Sequence, residues 1–66
     1  MNAVEKLARE IRRVAGIRHL YEEIGEAGEL AILLMDAALE QGCKAIGSGD
    51  PIAIIAAGQE LEGFHE

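Results

Sequence analysis

The sequence predicts an all-α fold: a small three-helix protein with two longer helices and one short C-terminal helix. Three observations carry this. Apolar residues recur at three- and four-residue spacing through most of the chain, no stretch keeps the two-residue alternation of a strand, and good helix caps precede the first and last helical patterns. Sixty-six residues allow one helical domain over 1–66.

The first helix starts at a cap. Asn2 is placed to accept from a backbone N–H three residues on, and Glu5 to reach back, in the capping-box pattern. Val4, Leu7, Ile11 and Val14 then repeat at helical spacing, with Glu5 four residues before Arg9. Gly16 is the first possible break. Beyond it the stripe continues through Ile17, Leu20/Tyr21, Ile24, Ala27/Gly28, Ala31, Met35 and Ala38, with one three-residue step between Val14 and Ile17. Two arrangements fit. In one, a single helix runs from Ala3 to Gln41, about 58 Å at 1.5 Å per residue. In the other, the preferred reading, the chain turns inside 16–28, at Gly16, Gly25 or Gly28, each of which costs roughly 1 kcal/mol inside a helix.

The second helix is apolar on nearly every side between Leu30 and Leu39, and a helix of that kind is normally buried. Its narrow polar stripe is Glu22, Glu26, Glu29, Asp36 and Glu40, interrupted by Leu33. Gly42 is the expected stop, and residues 42–50 the expected loop. Asp50 followed by Pro51 opens the third helix, as an N-cap with proline at the first helical position. Ile52 to Gly58 is again apolar all round, with Ala53 and Ala57, and Ile54 and Gly58, four apart. The helix is expected to end near Glu62 or Gly63, leaving Phe64-His65-Glu66 frayed.

A chain this short buries only about 60% of the surface its unfolded form exposes. Its one cysteine, Cys43, forms no internal disulfide. Oligomerisation is the remaining reinforcement, so a homodimer or higher homo-oligomer is expected, with an interface of Leu30, Leu34, Met35, Leu39, Ile52, Ile55 and Leu61. No apolar stretch reaches the ~20 residues of a membrane span, and the N-terminus runs straight into a charged amphipathic segment rather than a leader. With the lone cysteine, this points to a cytoplasmic protein without a membrane partner.

Charge is divided along the chain. Residues 1–19 hold five basic residues against two carboxylates, a net of +3. Residues 20–66 hold Lys44 against ten carboxylates, a net of −9. The row Glu22, Glu26, Glu29, Asp36 and Glu40 is the first candidate site, an acidic face that meets a basic partner protein and competes for a nucleic-acid-binding groove. Arg9, Arg12 and Arg13 on the first helix, with Lys44 and Ser48 in the glycine loop, are the second, as ligands for a small anion such as a nucleotide. Asp50 at the capping position opposes an anion there. Nucleic acid is not expected as a partner, because Glu5 and Glu10 interleave the arginines and no recognition pattern accompanies them.

Glu22, Glu23 and Glu26 form Glu-Glu-x-x-Glu within Tyr-Glu-Glu-Ile-Gly-Glu. Over five to eight residues this string resembles the first metal-binding helix of the MazG-like all-α nucleotide pyrophosphohydrolases. The resemblance implies glutamates holding magnesium beside a triphosphate. That family also carries a later Glu-x-x-Asp on a facing helix, and this chain contains none. His19 stands three and four residues before Glu22 and Glu23, a spacing that metal sites in helical bundles use. A complete catalytic set is not visible, and no metal or cofactor is expected. The function expected is that of a non-catalytic regulator or inhibitor acting through protein–protein contact. The alternatives are sequestration of an anionic ligand at the oligomer interface and a reduced MazG-like hydrolase.

Overall fold

The computed structural model describes residues 2–65. Three α-helices follow in order: α1 over Ala3–Glu22, α2 over Glu29–Ser48 and α3 over Pro51–Glu62, with a 3₁₀ turn over Gly25–Gly28 between the first two. Asn2 Oδ1 accepts from the Glu5 backbone N–H at 2.8 Å. Among the described residues the returning bond of the capping box, from the Asn2 N–H to the Glu5 carboxylate, is not seen. The Glu5 carboxylate instead lies 3.5 Å from the Asn2 side-chain amide.

The single-helix alternative is excluded. The chain leaves α1 at Glu23, passes Gly25 at φ 76° and re-enters a helix at Glu29. Left-handed backbone at Gly25 is free of the penalty a Cβ imposes. Gly28 serves the turn by its size. It is buried, and a Cβ built there would stand 2.4 Å from the Tyr21 carbonyl oxygen. Gly16 is interior to α1 and open on its outer side.

α1 and α2 are antiparallel: Arg18 meets Asp36, and Ile11 lies against Gly42. α3 turns back along both, with Leu61 also near Gly42, and Lys6 of α1 reaching Glu62. The core is Leu7, Val14 and Ile17 from α1, Met35, Ala38 and Ala45 from α2, and Ile54, Ala57 and Leu61 from α3. Three of these are alanines, so the helices approach closely. Val4, expected in the seam, is exposed.

Two expected boundaries move. α2 does not stop at Gly42 but runs on to Ser48, so the loop expected over 42–50 shrinks to Gly49 and Asp50. The physical reason is that Gly42 is a core position. It is buried, a Cβ built there would stand 3.3 Å from Ile11 and 3.4 Å from Leu61 side-chain carbons, and Ala45 continues the buried row from Met35, Ala38 and Gly42. Gly49, at φ 70°, is the left-handed stop, its N–H bonded to the Ile46 carbonyl. The second change is at the tail. Phe64 packs against the core, its N–H bonds the Leu61 carbonyl, and the His65 carbonyl lies 3.4 Å from the Tyr21 hydroxyl. The expected fraying at Glu66 lies outside the described residues. The third helix starts as expected, with Asp50 Oδ1 accepting from the Ile52 N–H at 3.0 Å and Pro51 at the first position.

Candidate interaction surface

The expected interface residues separate into two groups. Met35 and Leu61 are 2% and 0% exposed, and Leu39 packs against the same core. They hold the single chain together and are not open to another one. Leu30, Leu34, Ile52 and Ile55 are exposed. These four form no continuous face. Leu30 and Leu34 lie in the first turns of α2, while Ile52 and Ile55 lie in the first turns of α3, which pack beside the last turns of α2. Eighteen residues from Leu30 to Ser48 rise about 27 Å, so the two pairs stand toward opposite ends of a molecule 36 Å long.

α2 has a second apolar row. Leu30, Leu33, Leu34 and Ala37, at i, i+3, i+4 and i+7, are all exposed and lie away from the Met35–Ala38–Gly42 face. Leu20 and Ile24 add to it at the same end of the molecule, on α1 and the turn. The sequence stripe runs through Ile17, Leu20/Tyr21, Ile24 and Ala27/Gly28; of these the structure buries Ile17 and Gly28, packs Tyr21 against the core and leaves Leu20 and Ile24 exposed. The available signal was the choice between neighbours: Tyr21, not Leu20, stays in register with Leu7, Val14 and Ile17.

The acidic row is spread over three elements. Glu22 ends α1, Glu26 is in the 3₁₀ turn, and Glu29, Asp36 and Glu40 are on α2. Three of the five have cationic partners. Arg18 Nε donates to Asp36 Oδ1 at 2.5 Å and Nη2 to Oδ2 at 3.2 Å, while Nη1 donates to Glu22. Glu40 pairs with Lys44 at 3.4 Å. The hydrogen bond to Asp36 raises Arg18 above its ordinary value, and the same bond lowers Asp36. Glu26 and Glu29, with Glu23 beside them, have no ion pair among the described residues.

The basic residues are largely engaged within the chain. Arg13 donates to the Phe64 and Leu61 carbonyls at 2.7 and 2.9 Å, and its Nε pairs with Glu10. The bond to Leu61 meets a carbonyl in the last turn of α3, where a cation is also favoured by the helix dipole, and the bond to Phe64 ties down the tail. Arg9 and Arg12 are exposed on α1. Lys44 and Ser48 border a groove between α2 and α3, so the five residues proposed for an anion do not converge. Ser48 is the last residue of α2, its hydroxyl donating to the Ala45 carbonyl and accepting from the Asp50 N–H. The Glu-Glu-x-x-Glu string straddles the end of α1 and the turn, with Glu22 held by Arg18. Among the described residues no three His, Cys, Asp or Glu side chains come together as metal ligands, and no helix is long and apolar enough to cross a membrane. Cys43 is exposed.

Comparison with family models, with curated proteins and with solved structures gives no match to this chain.

Proposed function

We propose that this protein is a non-catalytic regulator or inhibitor that works by contact with another protein. The observation that carries this reading is the exposed row Leu30, Leu33, Leu34 and Ala37 beside Glu26 and Glu29. A helix already packed on one face and apolar on a second, adjoining one is organised for a second packing partner. The carboxylates without partners lie at the same end, so attraction and burial act on one surface. Self-association belongs to the same reading. With Met35 and Leu61 inside the monomer, the exposed Ile52 and Ile55 of α3 are the surface for it.

The test is capture on the immobilised protein from a bacterial lysate, with and without nuclease, followed by mass spectrometry. A single stoichiometric partner that survives nuclease and is lost from the folded double variant Glu26→Lys/Glu29→Lys is the expected result. Retention that vanishes with nuclease, or no retained protein, overturns the reading. Sedimentation equilibrium at micromolar concentration tests self-association, which a stable monomer refutes.

A further inference from the structure

α3 is shorter than the hairpin it packs on. It has 12 residues against 20 in each of α1 and α2. The Leu61 carbonyl in its last turn and the Phe64 carbonyl just after it are met by Arg13, in the middle of α1. From Arg13 to the end of α1 the helix rises about another 14 Å. The antiparallel partner over that length is the first half of α2. Past α3, Phe64 packs against the core and the His65 carbonyl reaches the Tyr21 hydroxyl, and among the described residues the third side of the hairpin beyond Tyr21 stays exposed.

Of the exposed large aliphatic residues, Leu20, Ile24, Leu30, Leu33 and Leu34 stand at this end, and Val4, Ile52 and Ile55 at the other. Leu20 follows Arg13 by seven residues and so shares the face of α1 that looks toward α3. Leu34 and Leu30 precede Gln41, a residue bordering the α2–α3 groove, by seven and eleven residues, on the same face of α2. Leu20, Ile24, Leu30 and Leu34 are 46%, 56%, 69% and 56% exposed. They are the residues a longer third helix would cover.

Charge selects the occupant. Within residues 17–36 the only Lys or Arg is Arg18, against Glu22, Glu23, Glu26, Glu29 and Asp36, a net of −4. A two-fold copy would set the same carboxylates against each other, well within the screening length of about 8 Å at physiological salt. Arg9 and Arg12 lie elsewhere on α1, so a copy using them would make a head-to-tail contact that leaves each open end available to the next chain. An anionic membrane is repelled by the same carboxylates. We infer that the open end of the α1–α2 hairpin receives a cationic amphipathic helix of another protein. Its apolar face lies over Leu20, Ile24, Leu30 and Leu34, and its flanking lysines or arginines face Glu23, Glu26 and Glu29. This rests on the contact reading above and names its partner chemistry.

The experiment uses the full chain, ¹⁵N-labelled, and a synthetic helical peptide of about 14 residues, or ~20 Å. Leucines are placed at i, i+3, i+4 and i+7 and lysines elsewhere. Controls are the same peptide with glutamate for lysine, and one with the leucines scrambled. The expected result is binding of the lysine peptide alone, with amide shifts confined to residues 17–37. Leu30→Ser/Leu34→Ser weakens it by about tenfold or more, as loss of central apolar anchors does. Glu26→Lys/Glu29→Lys weakens it similarly and flattens its salt dependence, while Ile52→Ser leaves it unchanged. Absence of binding to the folded wild-type chain, or shifts centred on α3, overturns the proposal. So does a wild-type dimer that Leu30→Ser/Leu34→Ser dissociates, because the occupant is then a second copy. If the peptide fails while a lysate partner is still captured, this inference falls and the contact reading stands.

Discussion

Replacing Gly28 by alanine tests how the α1–α2 turn closes. The backbone at Gly28, φ −92° and ψ −8°, lies in the bridge region that L residues adopt in turns, so no left-handed penalty attaches to the substitution. The effect comes from space. The new Cβ would stand 2.4 Å from the Tyr21 carbonyl oxygen and 3.3 Å from its carbon. Both are backbone atoms, and neither can rotate away. The turn must open by most of an ångström, which loosens the packing of Tyr21. Forcing a methyl into a closed site typically costs about 1–3 kcal/mol. At the middle of that range, with about 4–8 °C of Tm per kcal/mol for a domain of this size, the transition falls by roughly 8–16 °C. Gly16→Ala is the internal control. It lies inside α1 with nothing within 4 Å of the added Cβ, so helix propensity acts alone and stability rises by about 0.5–1 kcal/mol. Urea and thermal unfolding followed by circular dichroism at 222 nm measure both. A Gly28→Ala protein within 0.5 kcal/mol of wild type, or a Gly16→Ala protein less stable than wild type, would refute the assignment of the turn.

Three further expectations use the same measurements. Leu61→Ala empties a fully buried site and is expected to cost about 2–5 kcal/mol, most of the total for a chain of this length, so the urea midpoint collapses. Arg13→Ala removes one hydrogen bond to the Leu61 carbonyl in the last turn of α3 and one to the Phe64 carbonyl in the tail and, for a side chain 38% exposed, costs about 1 kcal/mol. Amide exchange should then quicken in the last turn of α3 and the tail, and Arg13→Lys, which lacks the forked donor, should not restore it. Asp36 is held below its usual value of about 3.8 by the hydrogen bond from Arg18. A carboxylate lowered in the folded state stabilises above the unfolded value, and that contribution is lost as pH falls through the folded one. Between pH 5 and pH 2 the wild type should therefore lose more stability than Asp36→Asn. Equal losses would show that the Arg18 pairing does not stabilise the fold.

Three helices, their order and the start of α3 were readable along the chain, because each rests on contacts within four residues. Asn2 accepts from Glu5, and Asp50 with Pro51 caps and pre-sets the first turn of α3. The apolar period through Leu7, Val14, Met35 and Ala38 is local in the same sense. Of the proposed surface, Leu30, Leu34, Glu26 and Glu29 were legible as one apolar and one acidic row. Leu20 and Ile24 were not: Leu20 is separated from Tyr21 only by strict register with Leu7 and Val14, and Ile24 falls beyond the end of α1, where the helical period no longer applies.

The rest depended on what meets in space. Gly16, Gly25, Gly28 and Gly42 are alike to a propensity scale, yet they are an exposed helix position, a left-handed turn, a close backbone approach and a core contact. The end of α2 shifted from Gly42 to Gly49 for that reason: Ile11 and Leu61, distant along the chain, make a glycine inside the helix a packing position. Likewise the basic half of α1 read as a surface for partners, while Lys6, Arg13 and Arg18 are engaged by Glu62, the end of α3 and Asp36. Local chemistry sets which segments are helical. Burial and charge pairing between segments far apart in sequence set which of their faces remain for another molecule.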